Sequence, residues 1–516
     1  MTPARDVLTR TDPEAQQRKC LRVKEALTRA GLLDRSSADG RPTDAREPEH
    51  QDGAVTSRWR LAPRPFLLSA AEASFFQALG PVLLAFYRAW NRLYLDSVRG
   101  SQPAWVHAYL DQGKPESLLA YSRMKRFRDL LPAVLRPDML PTEATGEGYV
   151  ITELDSVPGG IGLTGALAQA YASLGFDTAS AETDEFWEIL GGRDGMVQGF
   201  ARMVHAQLAQ QAGRRDGCVG IVVSDESKDY RPEMAWLADR LKEEGLEAWC
   251  VDPRDVRFTE DGLSVTRESG ARPMALLYRF FELFDLMNIP KAELIMYAAK
   301  KGRVTVTPPF KPALEEKSAF GLLHHPVLRG FWERELGEEA FGLLHRVMPR
   351  TWILDPRPLP PTAVIPDLTA GGRPVTDWRA LADTTQKDRH YVVKPSGFSP
   401  LAWGSRGVSV GHDLSQAAWS EALDHALSSF PTTPYVLQAF HKSQAFDLVY
   451  YDEARAEMLP MPGRARLSPY YFVVGDQVEL GGILATVCPL DKKLIHGMRD
   501  AIMLPCAVET SGAHRE

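Results

Sequence analysis

The sequence predicts an α/β protein of about two or three domains. Its length is the first observation, because 516 residues exceed what one hydrophobic core normally organises. The second is the segment 217–310, where the apolar run GCVGIVVSDES alternates with a helical stretch and further strand-like runs. An apolar run that ends in polar residues is typical of a buried parallel strand. This alternation predicts a small Rossmann-like βαβ domain, and the lack of G-x-G-x-x-G there argues against a dinucleotide.

Residues 1–58 are expected to form a helix followed by a flexible linker. Cys20, Val23 and Leu27 recur at helical spacing, whereas residues 34–58 contain almost no large apolar side chain. Apolar residues recur at helical spacing again from 66 to 98, which predicts a core helix. The run RPDMLPTEATGEGYVITELDS then predicts two strands joined by a glycine-containing loop. Further strands are predicted at residues 391–394, 407–410, 435–440, 472–474 and 483–488.

Charge and cysteine content argue against several classes of protein. A net charge of -7 gives no support for nucleic-acid binding, which usually needs a basic face. The 5 cysteines are scattered and include no C-x-x-C pair, so a disulfide framework and a structural zinc site are not expected. The longest apolar stretch, around residues 79–87, is too short to span a membrane, and the N-terminus lacks the apolar core of a secretory signal. We therefore expect a cytoplasmic protein that binds neither nucleic acid nor membrane.

A first group of motif residues lies on the two predicted strands and comprises Arg136, Asp138, Glu153 and Asp155. Glu153 and Asp155 share one strand face because side chains alternate, and Asp138 can join them from the neighbouring strand. Clustered carboxylates repel one another unless cations neutralise them, and Mg²⁺ bound to nucleotide phosphates prefers such oxygen ligands. Arg136 suits a phosphoryl oxygen. The alternative is a solvated strand face with surface ion pairs.

A second group lies in YVVKPSGFSPLAWGSRGVSVG, residues 391–411. An apolar strand delivers Lys394, and a glycine-containing loop follows it. Glycines let backbone N–H groups approach phosphate oxygens, and Lys394 and Arg406 add positive charge. The pattern GxxxxGK[ST] is absent, so this is not a Walker A loop. A hairpin that folds over a triphosphate is predicted, and a β-hairpin that binds nothing is the alternative.

The order of these groups resembles the circularly permuted ATP-grasp family, in particular the synthetase part of glutathionylspermidine synthase. In ordinary ATP-grasp enzymes the nucleotide lysines precede the metal carboxylates, whereas here Arg136-x-Asp138 and Glu153-x-Asp155 precede Lys394. The segment LEEKSAFGLLHHP resembles the one that carries the family's first nucleotide lysine, here Lys317. The resemblance covers roughly residues 59–505. It implies an α/β fold, a circularly permuted ATP-grasp with an inserted Rossmann-like pre-ATP-grasp domain.

The resemblance also implies domain boundaries and roles. Residues 59–200 would carry the metal carboxylates, 201–310 the Rossmann-like domain, and 311–516 the nucleotide lysines and phosphate loop. Arg136 matches the family's catalytic arginine. The implied magnesium ligands are Asp138, Glu153 and Asp155. The implied ATP contacts are Lys317, Lys394, Gly404, Ser405, Arg406, Gly407, Gln438, Ala439 and Phe440.

Two departures from the family pattern matter, the first because it adds negative charge to the implied metal site and the second because it leaves the substrate open. The family usually has Asn where Asp155 stands, and nothing in the sequence marks glutathione or a polyamine. Candidate substrate contacts follow from the residues instead. Arg279 and Glu282 follow an apolar strand and are expected near the cleft between domains, where α/β proteins bind ligands. Arg464 and Arg466 alternate on a predicted strand and suit a carboxylate or phosphate, and an exposed basic strand is the alternative.

These observations together predict an ATP-dependent carbon–nitrogen ligase (ADP-forming). Its cofactors would be ATP and Mg²⁺, and its partners a small-molecule or peptide carboxylate and an amine. Attack of the carboxylate on ATP would give an acyl-phosphate, which the amine then converts to an amide. An ATP-grasp kinase and a non-catalytic nucleotide-binding protein of a biosynthetic assembly are the alternatives. The sequence names neither the acid nor the amine.

Overall fold

Three β-sheets of different construction organise the chain, with a small two-stranded sheet beside them. The computed structural model describes residues 12–33, 59–143, 148–176, 187–210, 216–268, 270–404, 406–492, 494–497 and 500–509. The helices are α1 Pro13–Arg29, α2 Ala70–Val98, α3 Ala104–Asp111, α4 Glu116–Ser122, α5 Ile161–Tyr171, α6 Gly195–Gln210, α7 Arg231–Glu243, α8 Ala292–Lys300, α9 Ser318–His324, α10 Arg329–Leu336, α11 Glu338–Val347 and α12 Gln416–Ser428. The strands are β1 Phe66–Leu68, β2 Val134–Pro141, β3 Tyr149–Asp155, β4 Trp187–Ile189, β5 Cys218–Val223, β6 Ala248–Val251, β7 Val256–Thr259, β8 Gly262–Arg267, β9 Gly270–Phe280, β10 Thr305–Thr307, β11 Thr351–Ile353, β12 Thr369–Ala370, β13 Arg373–Pro374, β14 Tyr391–Pro395, β15 Ser409–Val410, β16 Tyr435–Ala439, β17 Ala445–Asp452, β18 Glu457–Val474, β19 Gln477–Pro489 and β20 Ile502–Glu509.

The largest sheet brings the two ends of the chain together. Its strand order is β1-β20-β19-β18-β2-β3, with β17 beside β18 and β4 beside β20. Strand β1 runs parallel to β20, and the other pairs are antiparallel. The predicted strand pair in 134–155 is confirmed as β2 and β3. Because β2 lies directly beside β18, residues from opposite ends of the sequence share one sheet face.

A second sheet contains four parallel strands in the order β6-β5-β9-β10, extended by antiparallel β8 and β7. All of Cys218–Val223 is buried, which confirms the predicted buried parallel strand. Side chains alternate along it, so Val219 and Ile221 join the main core while Cys218 and Val222 join a second core. Burial of both faces explains why the strand is a continuous apolar run rather than an alternating one.

A third sheet is antiparallel and has the order β11-β16-β14-β15. Helix α12 covers one face, where Trp419 and Leu423 pack in one cluster with Val393 and Leu437. The strands predicted at 391–394, 407–410 and 435–440 correspond to β14, β15 and β16. The other face of this sheet looks towards β2 and β3, and a cavity lies between the two sheets.

The N-terminal helix is part of the main core. Asp12 caps it by accepting a hydrogen bond from the backbone N–H of Glu14 at 3.0 Å. Its apolar stripe, Cys20, Val23 and Leu27, is fully buried. The predicted helix is therefore present, and it packs on α5 and β18. The linker predicted for residues 34–58 lies outside the described residues.

The core helix predicted within residues 66–98 is confirmed as α2, which begins at Ala70 because residues 66–68 form β1. It runs for 29 residues and continues through Pro81. Ser69 and Glu72 form a capping box at its start. Among the described helices it is the one whose length and composition would suit a membrane span. Phe76, Trp90 and Leu93 on this helix are buried in the main core, so it serves as a core helix.

Candidate active site

The register of β2 and β3 places the first group of motif residues side by side. Arg136 lies opposite Asp155, and Asp138 lies opposite Glu153. A register irregularity follows immediately, between Asp138 and Met139. The expectation that Asp138 joins the other two carboxylates from the neighbouring strand is confirmed.

Arg136 is held between two carboxylates. Its guanidinium donates to Asp155 Oδ2 at 2.8 Å, to Asp138 Oδ2 at 3.3 Å and to the carbonyl of Gly159 at 3.1 Å. Asp138 also accepts a hydrogen bond from Ser468 Oγ at 2.9 Å and pairs with Arg466 at 3.1 Å. Burial would raise the pKa of Asp138, but Arg136 and Arg466 outweigh it and the pKa falls below its usual value. Asp138 is therefore an ionised carboxylate shared by two arginines.

The pKa of Asp155 is shifted in the opposite direction, above its usual value. Its Oδ1 accepts a hydrogen bond from the backbone N–H of Val157 at 2.9 Å. Burial raises its pKa, and the negative charges of Glu153 and Asp138 raise it further, although Arg136 opposes them. Two carboxylates on one strand face thus repel each other, as the sequence pattern implied. An added cation would relieve that repulsion.

The two predicted nucleotide lysines reach this same place from other parts of the chain. Lys317 Nζ lies 2.7 Å from Glu153 Oε1 and donates to the carbonyl of Ala402 at 3.3 Å. Lys394 Nζ donates to the carbonyl of Thr152 at 2.7 Å. Burial lowers the pKa of Lys394 to about 8, helped by the charge of Lys317 and opposed by Glu153. Burial also acts on Lys317, but Glu153 outweighs it and raises its pKa.

These groups line a cavity of about 630 Å³ between the large and the third sheet. The predicted site residues in its wall are Arg136, Asp138, Glu153, Asp155, Glu282, Lys317, Lys394, Gly404, Gln438, Ala439, Phe440, Arg464 and Arg466. Arg279, Arg406 and Gly407 do not line it. Ser405 lies outside the described residues. Sequence motifs that are far apart in the chain thus share one cavity.

Arg279 is structural, in contrast to its predicted role as a substrate contact. It is fully buried, pairs with Glu315 and donates to the carbonyl of Pro308 at 3.2 Å. An arginine whose donors are already used inside the protein is not available to a ligand in the cavity. Glu282, three residues along, does line the cavity. Burial raises its pKa to about 8, with further contributions from Glu315 and Asp155.

The segment predicted to contact the base, residues 438–440, lines the cavity. The amide of Gln438 donates to Thr351 Oγ1 at 3.1 Å, and the side chain is buried. The ring of Phe440 meets His412 edge to face, with centroids 4.4 Å apart. His412 lines the cavity and was not anticipated, because a lone histidine gives no pattern in the sequence. An aromatic pair beside a strand edge suits a flat heterocycle.

The turn after Asp155 forms another wall of the cavity. The hydroxyl of Tyr470 donates to the carbonyl of Gly159 at 2.6 Å. Gly160 has a φ of 88°, and a Cβ there would lie 2.4 Å from that hydroxyl oxygen. The Glu233 carboxylate accepts hydrogen bonds from the backbone N–H groups of Gly160 and Leu163 at 2.7 and 2.8 Å, and so caps the N-terminus of α5. The signal in the sequence is the glycine pair Gly159-Gly160, which begins four residues after Asp155.

The glycine-containing loop after Lys394 closes over the cavity. The ring of Trp403 meets Tyr230 edge to face, with centroids 6.4 Å apart. Beyond it, Arg406 pairs with Glu226 at 3.2 Å and also lies over the Trp403 ring. Tyr230 and Glu226 lie between β5 and α7, so the loop touches the region of the second sheet.

The carboxylates do not by themselves make a metal cage. In the part of the chain that the structure describes, no group of three or more acidic, histidine or cysteine side chains is arranged to hold a metal ion. Arg136 and Lys317 occupy positions beside the acids instead. Mg²⁺ usually takes one or two carboxylates together with phosphate oxygens and water, so this donor set fits it once phosphates are present.

The chain shares its fold with a solved protein of low sequence similarity. It is similar to a glutathione synthetase like-effector from Globodera pallida, with 10% identity, a TM-score of 0.54 and coverage of 96% of this chain and 97% of that one. A putative gamma-glutamylcysteine synthetase from Methylobacillus flagellatus KT gives 12% identity, a TM-score of 0.37 and coverage of 84% and 87%. Neither a protein-family model nor a curated protein matches the sequence. The first comparison confirms the α/β fold over nearly the whole chain.

Proposed function

We propose that this chain is an ATP-dependent ligase that joins a carboxylate to an amine through an acyl-phosphate. The observation that carries the proposal is the meeting of Lys317 and Lys394 with the Glu153 strand inside one cavity. Two ammonium groups beside carboxylates form a site for a triphosphate with its metal ion. The shared fold with an effector named for its likeness to glutathione synthetase supports the same conclusion.

At the level of the fold, we infer a circularly permuted ATP-grasp. The carboxylate strands β2 and β3 precede both lysines in the chain, which is the permuted order. The parallel sheet formed within residues 218–307 lies between them in sequence and corresponds to the proposed Rossmann-like insertion. We propose that residues 59–200, 201–310 and 311–516 are the three parts of this fold. Free thiols at all five cysteines support our assignment of the protein to the reducing cytoplasm.

Each group in the cavity has a proposed task. Lys317 and Lys394 bind phosphate oxygens, and the segment 438–440 with His412 receives the base. Glu153, Asp155 and Asp138 would provide carboxylate oxygens for Mg²⁺. Bound Mg-ATP supplies the phosphoryl group that activates the acid.

The remaining catalytic work is electrostatic. Arg136 stabilises the charge that develops on the transferring group, because its guanidinium is fixed by Asp155 and the carbonyl of Gly159. Trp403 and Tyr230 exclude water from the cavity, which protects an acyl-phosphate from hydrolysis. No protein nucleophile is required in this scheme.

The test is to trap the proposed intermediate. The protein is incubated with Mg-ATP, hydroxylamine and a panel of carboxylic acids labelled with ¹⁸O in the carboxyl group. A ligase is expected to give a hydroxamate, ADP and phosphate that carries ¹⁸O, because the acid oxygen leaves with phosphate. A stable phosphorylated product without hydroxamate would identify a kinase. Nucleotide binding without turnover for any acid would favour a non-catalytic protein.

A further inference from the structure

The cavity extends well past the proposed nucleotide contacts. Lys317 and Lys394 approach the large sheet at its β3 edge. Strands β18, β19 and β20 follow β2 on the side away from that edge, and Arg464, Leu484 and Met503 from these strands line the same cavity. Neighbouring strands lie about 4.8 Å apart, so the cavity continues roughly 14 Å beyond β2. This part of the cavity lies away from the two lysines that are proposed to bind the triphosphate.

This outer part of the cavity is basic. Arg464 and Arg466 lie on one face of β18, and Lys492 follows the end of β19. Arg464 donates one hydrogen bond, to the carbonyl of Leu490 at 2.9 Å, and its Nε is buried without a hydrogen-bond partner. Within the described ranges, no carboxylate forms an ion pair with Arg464 or Lys492. The carboxylates of Asp138, Glu153 and Asp155 line a different part of the cavity, on β2 and β3.

Cations that share a cavity without counter-ions indicate an anionic ligand. A guanidinium removed from water loses its hydration, and a carboxylate or phosphate replaces it with charge-assisted hydrogen bonds. The third cation, Arg466, links this region to the proposed reaction centre, because it pairs with the same Asp138 that Arg136 contacts. An acid that lies across Arg466 therefore extends from the centre towards Arg464.

This inference rests on the proposed function. We propose that Arg464 and Lys492 bind a second anionic group of the acid substrate, a carboxylate or a phosphate, and that the acid is thus at least dianionic. Arg464 lies two residues beyond Arg466 on the same strand face, which corresponds to about 7 Å. The second anionic group is accordingly separated from the reacting carboxylate by a chain of several atoms rather than lying next to it.

Equilibrium binding tests this directly. Calorimetry measures the affinity of the full-length protein for suberate, for its monoamide and for a chain-matched phosphonocarboxylate, each with and without saturating Mg-ADP. Affinity for Mg-ADP alone is measured in parallel. The variants are Arg464→Gln and Lys492→Gln, with Arg455→Gln as the matched control. Arg455 is exposed on the neighbouring β17–β18 turn and does not line the cavity.

We expect the wild-type protein to prefer a dianionic acid over the monoamide by about tenfold or more, and each cavity variant to abolish that preference. The Mg-ADP affinity of each cavity variant should stay within about twofold of the wild-type value. Arg455→Gln should behave as wild type. Stronger loss with the phosphonate than with suberate would identify phosphate as the second group. Equal affinity for diacid and monoamide would overturn the inference while leaving the nucleotide site intact. Loss of Mg-ADP affinity in Arg464→Gln would assign these cations to the nucleotide instead.

Failure of the proposed function gives a different pattern. A wild-type protein that binds no Mg-ADP would contradict the nucleotide site, yet the diacid titration without nucleotide would still report on Arg464 and Lys492. The thermal midpoint of each variant shows whether it folds. Should Arg464→Gln fail to fold because its bond to Leu490 is lost, Lys492→Gln, whose side chain is half-buried beside the cavity, carries the test alone.

Discussion

Lys317 and Glu153 form an ion pair with 2.7 Å between Nζ and Oε1, and this pair joins two sheets of the protein. Glu153 belongs to β3 of the large sheet. Lys317 lies just before α9, and its backbone N–H donates to the carbonyl of Ser396, directly after β14 of the third sheet, at 2.8 Å. The pair therefore spans the cavity at the point where the triphosphate is proposed to bind.

Replacement of Glu153 by Gln should abolish turnover and leave the fold intact. The change keeps the side-chain volume but removes the negative charge that would face Mg²⁺ and Lys317. We expect turnover to fall by about 100-fold or more, measured as ADP release. Glu457→Gln, an exposed position at the start of β18, is the control and should retain wild-type activity. Near-normal turnover of Glu153→Gln with an unchanged magnesium requirement would remove Glu153 from the metal site.

Lys394 should make nucleotide binding depend on pH. Its pKa is lowered to about 8, so the ammonium is charged below pH 8 and increasingly neutral above it. A triphosphate favours the charged form, so binding above pH 8 must take up a proton. We expect the dissociation constant of Mg-ATP to rise by up to about tenfold per pH unit above pH 8.

The control for this prediction is Lys394→Arg. Its side chain stays charged, so its dissociation constant for Mg-ATP should not rise above pH 8. Lys394→Met should weaken binding by about tenfold or more at pH 7, because a charge-assisted bond to phosphate is lost. Calorimetry in buffers of different ionisation enthalpy measures the proton uptake independently. An affinity that is flat from pH 7 to pH 10 in the wild-type protein would contradict a nucleotide contact by Lys394.

The loop 396–407 should order when Mg-ATP binds. In the described residues it is held to the region before α7 by the Trp403–Tyr230 contact and the Arg406–Glu226 ion pair. An exposed ion pair contributes little, so we expect the loop to open readily in the free protein. Hydrogen exchange should show fast amides across 396–407 that slow with Mg-ATP.

Two variants distinguish the effect of the Arg406–Glu226 ion pair from a general effect of charge. Glu226→Gln should speed exchange in this loop and raise the KM for ATP several-fold, because only the ion pair with Arg406 is lost. Glu244→Gln, an exposed carboxylate at the end of α7, should change neither quantity. Equal protection of the loop with and without nucleotide would mean that it is not a lid.

Glu233 should make the free energy of unfolding depend on pH. Burial raises its pKa from 4.5 to about 7, although the N–H groups of Gly160 and Leu163 oppose the shift. Between pH 4.5 and pH 7 the folded protein keeps the Glu233 proton that the unfolded chain has released. The contribution of this proton to the free energy of unfolding is therefore complete below pH 4.5 and is lost as the pH rises through about 7. The full difference is about 3 kcal/mol, from about 1.4 kcal/mol per pH unit.

Denaturant unfolding at several pH values measures this effect. The free energy of unfolding of Glu233→Gln should vary less between pH 5 and pH 8 than that of the wild-type protein, since glutamine does not titrate. Glu244→Gln serves again as the control and should follow the wild-type curve. Parallel curves for Glu233→Gln and wild type would show that Glu233 titrates near its ordinary pKa.

The local elements could be read from the sequence because their signals are local. The helical periodicity of residues 66–98, the apolar run of β5 and the same-face spacing of Glu153 and Asp155 each depend on neighbours in the chain. The pairing of β2 with β3 follows from a short loop, so Asp138 could be placed beside Glu153 as well. These predictions required only the alternation of side chains along a strand.

Contacts between distant segments were decided by the tertiary structure. The sequence did not determine that Arg279 pairs with Glu315, and its predicted place in the cavity fails because that partner lies on another segment. Tyr230, Glu233 and His412 likewise entered the cavity wall without a motif. The same holds for the bond between Lys394 and Thr152, which exists because the third sheet packs over the large one. Periodicity reports which face of an element is buried, whereas the partner across that face is fixed only when sheets from both ends of the chain pack together.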